Sequence, residues 1–296
     1  TDKALSFFEE MQQVGVAANV YTYTAAISAC EKEGRWEEAL SLLERMSADG
    51  ITPSIQTYTA AISACQKGRQ AKPAMGLLDR MVNDGIEPDV IAYSAAICAC
   101  GNAELAQPAQ KLFEDMKRRG LKPDVVSYSS LIKACASGGE WEKALQVFET
   151  METEGVKPNL IAYSSAISAC DKCGQWKRAI GLLERMKQDG MQPDAVAYNY
   201  VISACSHGGQ WEASVKLLQE MIANRSPKPK ASTYCTVIRA CGQNGQWEKA
   251  LGVVTSMESS GVRPEEAVLE ALVLALRDCE QNDMADSIQK QLKSTR

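Results

Sequence analysis

The stretch that decides the fold runs from Val125 to Asn159, VVSYSSLIKACASGGEWEKALQVFETMETEGVKPN. Most of the remaining chain repeats it. The tyrosine at its start recurs as Tyr23, Tyr58, Tyr93, Tyr128, Tyr163 and Tyr198 at a constant spacing of 35 residues, and Tyr234 follows after 36. A fixed period of this size marks stacked supersecondary units rather than one globular core.

Within the stretch the pattern predicts two helices. Tyr128, Ile132 and Cys135 share one helical face. Gly138-Gly139 ends that helix, because glycine enters the left-handed cap conformation without a side-chain clash. A second helix opens near Glu140-Trp141, and Trp141, Ala144, Leu145, Phe148 and Met151 form its apolar stripe. Gly155 and Pro158 end it. Neither helix can hide its stripe alone, so stacked copies must support one another.

Applied along the chain, the pattern gives residues 1–19 as a lone second helix, with Ala4, Leu5, Phe8 and Met11 on its stripe. Seven hairpins follow, at 20–54, 55–89, 90–124, 125–159, 160–194, 195–230 and 231–265. The sixth carries its extra residue between Ala223 and Pro229. Pro73 and Pro108 fall in the first turn of their second helices, where proline is tolerated. Residues 266–296 keep a helical pattern (Leu269, Leu272, Val273, Leu276) without the tyrosine and read as a degenerate capping repeat. The chain opens inside a repeat, so a mature or trimmed fragment is expected.

The 296 residues are 45% hydrophobic and 23% charged, with a formal net charge of −5. Net acidity argues against an indiscriminate nucleic-acid binder. No apolar run reaches the roughly 18 residues of a membrane span, and no signal or transit peptide is visible at Thr1. Seven of the eleven cysteines (Cys30, Cys65, Cys100, Cys135, Cys170, Cys205 and Cys241) follow the marker tyrosine by seven residues. Equivalent atoms of stacked helices lie about 8–10 Å apart. Disulfides need Cα atoms closer than about 7 Å. These cysteines therefore read as small buried hydrophobes in a reducing compartment. Cys170-Asp171-Lys172-Cys173 is a CxxC with no second pair at zinc-ligand spacing. The sole histidine, His207, excludes triads and multi-histidine metal sites by count, and reads as an exposed cap at the end of a first helix. No GxxxxGK phosphate loop occurs. Neither an enzyme nor a cofactor is expected.

Two helical repeat families compete. Tetratricopeptide repeats run at about 34 residues with tryptophan early in the first helix. Here the period is 35 and the tryptophan opens the second helix. The unit instead resembles the pentatricopeptide repeat in a P-type array: Tyr-x-x-x-Ile near the start, Ala-Leu then Met in the second helix, and Gly-x-x-Pro-Asp/Asn at the end. The resemblance extends over nearly the whole chain. It implies an all-α, right-handed superhelical solenoid of helix-turn-helix repeats, with first helices lining an inner groove. It further implies single-stranded RNA binding in a mitochondrion or chloroplast, one base per repeat. The deaminase signature sometimes fused to this family needs His-x-Glu, which His207-Gly208-Gly209 does not supply.

In the family, the residue after the marker tyrosine and the last residue of the repeat discriminate bases. Carried over, these are Thr24 with Ser54, Thr59 with Asp89, Ser94 with Asp124, Ser129 with Asn159, Ser164 with Asp194, and Asn199 with Lys230. By resemblance, hairpins two to five read G, G, A, G in the 5′-to-3′ direction. Asn199 suggests a pyrimidine, but Lys230 departs from the pattern. Thr24 with Ser54 is ambiguous, and Cys235 with Glu265 has no assignment. The family sandwiches each base between apolar residues two before the tyrosine, here Tyr21, Ile91, Val126, Ile161 and Val196; Gln56 and Ser232 depart from this. The first set follows the buried tyrosine and is expected to lean off the core, with Ser94, Ser129 and Ser164 displayed along a continuous trough. Residue chemistry alone also allows a plainer role, since Ser, Asp and Asn are ordinary N-caps.

In the thirteen residues from three before each marker tyrosine to nine after it, the bases across seven repeats are Lys32, Lys67, Lys133, Lys172 and Arg239, against the acids Glu31 and Asp171. This acid-poor face suits a polyanion, with Lys32, Lys67 and Lys172 recurring at one slot as phosphate contacts. Equally, the second helices simply carry solubilising charge. Two functions are thus in play. One is RNA binding around a GGAG core that supports stability, processing or translation. The other is a scaffold subunit of a large organellar assembly such as a ribosome, contacting other proteins.

Overall fold

Each marker tyrosine occupies the fourth position of a helix, one turn inside a capped N-terminus. The computed structural model describes residues 2–224 and 226–294, with side chains to residue 290; Thr1, Arg225 and the end of the expected C-terminal cap lie outside the described residues. Among these residues 17 helices occur and no strand. In chain order they are α1 (Asp2–Gln13), α2 (Val20–Glu33), α3 (Trp36–Ala48), α4 (Ile55–Lys67), α5 (Ala71–Asn83), α6 (Val90–Asn102), α7 (Ala106–Arg118), α8 (Val125–Ser137) and α9 (Trp141–Thr153). Then come α10 (Leu160–Lys172), α11 (Trp176–Gln188), α12 (Ala195–His207), α13 (Trp211–Ala223), α14 (Ala231–Gln243), α15 (Trp247–Ser259), α16 (Glu266–Asp278) and α17 (Asn282–Ser294). No helix among the described residues is long and apolar enough to cross a membrane.

The fourth hairpin shows why these residues form these elements. Asp124 caps α8, its carboxylate accepting from the Ser127 backbone, and Ser127 Oγ accepts from the Asp124 N–H in return, a capping box. Gly139, at φ +80°, turns the chain between α8 and α9. The same turn in hairpins two and three is made by Arg69 (φ +57°) and Glu104 (φ +60°), where a side chain meets the left-handed conformation. Pro73 and Pro108 each take the third position of a second helix, where no intrahelical donor is lost.

The chain forms two compact units, Thr1–Ala162 and Tyr163–Arg296. In the first, α2, α4, α6 and α8 pack in succession as one layer, and α3, α5, α7 and α9 each pack on the first helix of their own hairpin; α3, α5 and α7 also pack on that of the next. In the second, α12, α14 and α16 form the layer, backed by α11, α13, α15 and α17. Each unit is an α-solenoid. Residues 266–290 form a helical hairpin whose α16 packs on α14 in the place of a further first helix of the layer, so the stripe Leu272, Val273 and Leu276 is buried. The core repeats as the sequence does. The seven marker tyrosines, the seven slot cysteines, and a methionine in the second helix of each of the seven hairpins that carry the tyrosine, such as Met46, Met81 and Met151, are buried.

Candidate functional site

The site lies at the N-terminal ends of the first helices. The marker tyrosine is its anchor. Tyr128 donates to Glu154 Oε2 at 2.6 Å and Tyr163 to Asp189 Oδ2 at 2.6 Å, joining the start of a first helix to the end of the second helix of the same hairpin. Tyr23 does the same with Asp49, Tyr58 with Asp84, Tyr93 with Asp115 and Tyr198 with Glu220. Burial first, and the carboxylate second, push the Tyr58 phenol up to about 12. Tyr234 has no such carboxylate, and its phenol is raised by burial alone.

Beside this anchor stand the last residues of the repeats, each the N-cap of the following first helix. Asp89 Oδ1 accepts from Ala92 N at 2.8 Å, Asp124 Oδ1 from Ser127 N at 2.8 Å, Asn159 Oδ1 from Ala162 N at 2.9 Å, and Asp194 Oδ1 from Ala197 N at 2.8 Å. Ser54 Oγ accepts from Thr57 N at 3.2 Å. Capping is therefore real at all five positions, and it consumes one oxygen of each. The other end of each acidic or amide side chain remains at a half-buried position. For Asp that end is an acceptor. For Asn it is the NH2 donor, because the cap fixes which way the amide turns.

The small residues after the tyrosines lie elsewhere than expected. Ser94 and Ser129 are only 3% exposed, so neither is displayed along an open trough. The rotation that turns this position off its own hairpin's core turns it onto the next first helix, whose N-terminus covers it. Ser94 Oγ lies 2.8 Å from Ser127 Oγ and donates to Asp124 Oδ1 at 3.1 Å. Ser129 Oγ lies 2.9 Å from Asn159 Oδ1 and 2.6 Å from Val125 O. Thr24, Thr59, Ser164 and Asn199 are half-buried. The oxygens of Thr59 and Ser164 are nonetheless enclosed and have no hydrogen-bond partner. In this conformation the Ser94 and Ser129 hydroxyls are engaged by Asp124 and Asn159.

The position two before the tyrosine behaves differently. Tyr21 is 84% exposed, Ile91 62%, Val126 50%, Ile161 56% and Val196 45%. Gln56 and Ser232 hold the same place and are also exposed. Large apolar side chains repeated at one exposed slot, next to a half-free polar end, mark a surface that contacts something.

Lys32, Lys67 and Lys172 are exposed, but Lys67 Nζ is 3.2 Å from Glu31 Oε1, so its charge is partly neutralised across neighbouring hairpins. His207 does not cap its helix; its Nδ1 lies 3.1 Å from Asp171 Oδ1. The slot cysteines are free and buried, and burial pushes the thiols of Cys65, Cys100, Cys135, Cys170, Cys205 and Cys241 up to about 11; Cys173 is exposed. Cys235 Sγ donates to Ala267 O at 3.5 Å. Two parts of the site were not read from the sequence. The carboxylates that receive the tyrosines stand 26 residues later in four hairpins, a second spacing as regular as the first. The third residue of each first helix, which bonds the preceding hairpin's small residue at Thr57, Ser127 and Thr233, alternates between Ser or Thr and Ala without an obvious period.

The family model described as the pentatricopeptide repeat domain matches residues 6–68, 41–103 and 111–173. The PPR repeat model matches 91–121, and the pentacotripeptide-repeat region of PRORP matches 175–295. Among solved structures, the pentatricopeptide repeat protein PPR10 from maize is similar with a TM-score of 0.68 and 24% identity over 99% of this chain and 46% of that one. PPR10 in complex with an 18-nt psaJ RNA element matches with a TM-score of 0.52 and 21% identity, over 99% of this chain and 53% of that one. The Arabidopsis thaliana nuclear protein-only RNase P 2 matches with a TM-score of 0.55 and 16% identity, over 68% of this chain and 46% of that one. The chain thus spans about half the length of these structures. No curated protein matches it.

Proposed function

The chain belongs to the pentatricopeptide repeat family, and on that premise we propose that it binds single-stranded RNA along the N-terminal ends of its first helices, one base per hairpin. The observation that carries the reading is the row of exposed apolar residues, Ile91 and Val126 in the first unit and Ile161 at its edge, each beside an N-cap with one polar atom to spare. A base seated against such side chains loses apolar surface to the protein, and its edge meets the spare atom. Asp offers only acceptors, which suit the N–H groups on the Watson–Crick edge of guanine. The outward NH2 of Asn159 suits the ring nitrogen of adenine. Hairpins two to four then read G, G and A through Asp89, Asp124 and Asn159, and hairpin five reads G through Asp194. Thr59 and Ser164, whose hydroxyls have no partner of their own, serve as second polar groups, whereas Ser94 and Ser129 are bonded to their N-caps.

Phosphates fall to Lys32, Lys67 and Lys172, and the bond between Lys67 and Glu31 keeps that contribution modest. Binding supports RNA stability, processing or translation by masking the strand or recruiting a partner, without catalysis by this chain. The family resemblance directs the protein to a mitochondrion or chloroplast, which imaging of the tagged full-length protein tests. The deciding experiment is a salt titration of binding to labelled RNA. Preference for a GGAG-containing strand over its scramble, weakening with salt, is expected. Equal or absent binding to both overturns base reading and favours a protein scaffold in an organellar assembly, a reading that net acidity and the partly neutralised Lys67 already favour.

A further inference from the structure

The third residue of a first helix meets the small residue of the hairpin before it wherever it is Ser or Thr, and that pairing fixes what the small residue is doing. Where it is Ser or Thr, the two side chains are joined. Thr24 Oγ1 lies 2.7 Å from Thr57 Oγ1, Ser94 Oγ lies 2.8 Å from Ser127 Oγ, and Thr233 Oγ1 donates to Asn199 Oδ1 at 2.5 Å. Where it is alanine there is no such partner. Ala92 follows Thr59 and Ala197 follows Ser164, and these two hydroxyl oxygens are enclosed and unpaired. Ala162 follows Ser129, which turns instead to Asn159 and to its own helix.

An enclosed hydroxyl without a partner is costly to maintain and gains most when a ligand supplies one. A hydroxyl already paired inside the protein must break that bond before it can serve a ligand. In hairpin three the closure goes further. Ser94 Oγ, Ser127 Oγ and Ser127 N all converge on Asp124 Oδ1, so the cap and the small residue satisfy each other.

We infer that the third residue of a hairpin sets how sharply the preceding hairpin discriminates its base: serine or threonine closes the reader, and alanine leaves it poised at Thr59 and Ser164, where no other bond forms, but not at Ser129, which closes on Asn159 instead. The inference rests on the base reading proposed above. It makes Thr59 with Asp89 and Ser164 with Asp194 the discriminating pairs, and Thr24, Ser94 and Asn199 the permissive ones. It assigns specificity to Thr57, Ala92, Ser127, Ala197 and Thr233, residues of the neighbouring hairpin that need not touch the RNA.

The test uses single-stranded RNA oligonucleotides in which the bases opposite hairpins two and three are varied through all four identities. The unaltered protein is expected to distinguish bases more sharply at hairpin two than at hairpin three. Ala92→Ser introduces at hairpin two the hydroxyl present at hairpin three, and lowers discrimination there by about threefold or more. Ser127→Ala does the reverse at hairpin three, and each variant leaves the other position unchanged. Both side chains occur naturally at this slot, so the fold is retained; a melting curve checks this, and Ala197→Ser against Thr233→Ala repeats the comparison at hairpins five and six. Discrimination that survives both exchanges at both positions overturns the inference and leaves base reading standing. Failure of the unaltered protein to distinguish any base overturns base reading, and the inference with it.

Discussion

Tyr128 donates a 2.6 Å hydrogen bond to Glu154 Oε2, and Glu154 Oε1 receives Lys117 Nζ from the preceding hairpin at 2.6 Å. One carboxylate thus closes its own hairpin and links it to its neighbour. Lys117 foremost, then Tyr128, holds the Glu154 carboxyl below its usual range. Tyr128→Phe removes the internal bond and keeps the ring packing. It should cost about 1.5–3 kcal/mol, the range for a bond to a charged group, and lower the urea midpoint measured by circular dichroism. Tyr234→Phe, in the hairpin without that carboxylate, should change the midpoint by no more than about 0.5 kcal/mol. Equal effects would refute the clamp.

The slot thiols of Cys65, Cys100, Cys135, Cys170, Cys205 and Cys241, pushed to about 11 by burial, make stability sensitive to alkali. Their folded-state values lie above the roughly 8.5 of an unfolded thiol. The stabilisation they give is therefore complete below about pH 8.5 and is lost as pH climbs toward 11, because the unfolded chain releases protons first. Urea midpoints should fall between pH 8 and pH 10.5. At pH 8 a thiol reagent should modify the exposed Cys173 first and reach the slot cysteines only after denaturation. Rapid native labelling of Cys100 or Cys135 would contradict the packing.

Asp89→Asn and Asp124→Asn each retain an oxygen for the cap, so stability should shift by less than about 0.5 kcal/mol. What changes is the spare atom, from acceptor to donor. Base preference at hairpins two and three should move from G toward A in a selection from randomised RNA. An unchanged preference would remove the N-cap from the reading set.

Ile91 and Val126 are 62% and 50% exposed, so replacing both with Ser should scarcely alter melting. RNA affinity should nonetheless fall by about 1 kcal/mol or more for each base deprived of its apolar seat, and by the same factor whichever base is present. A weakening confined to one base identity would assign these residues to edge recognition instead of base packing.

Arg69 and Glu104 hold φ values of +57° and +60° at the turn where Gly34, Gly139, Gly174, Gly209 and Gly245 stand in other hairpins. Arg69→Gly and Glu104→Gly should each stabilise by about 0.5–1 kcal/mol, the left-handed penalty partly offset by the greater freedom of unfolded glycine. Differential scanning calorimetry reads this as a raised transition.

The period, the helix starts and the buried stripes were legible because they are local. Glycine and proline end helices through their own backbones, and apolar spacing shows which face is hidden. The exposed row of Ile91, Val126 and Ile161 followed from the family pattern. The burial of Ser94 and Ser129 did not, because it depends on how one hairpin sits on the next, which a single repeat does not encode. The carboxylate clamp was hidden by two exceptions. Tyr93 and Tyr198 find Asp115 and Glu220 22 residues on instead of 26, one helical turn earlier, because Arg119 and Asn224 occupy the usual place.

The pairing of Ser94 with Ser127 bears on reprogramming. A recognition module excised from Val90 to Asp124 leaves behind the serine that governs it and acquires whatever residue its new downstream neighbour presents. Grafted arrays assembled at those seams would vary in fidelity with the order of their parts. Splicing after the tyrosine, within the first helix, would keep each small residue's junction partner and its cap in one cassette.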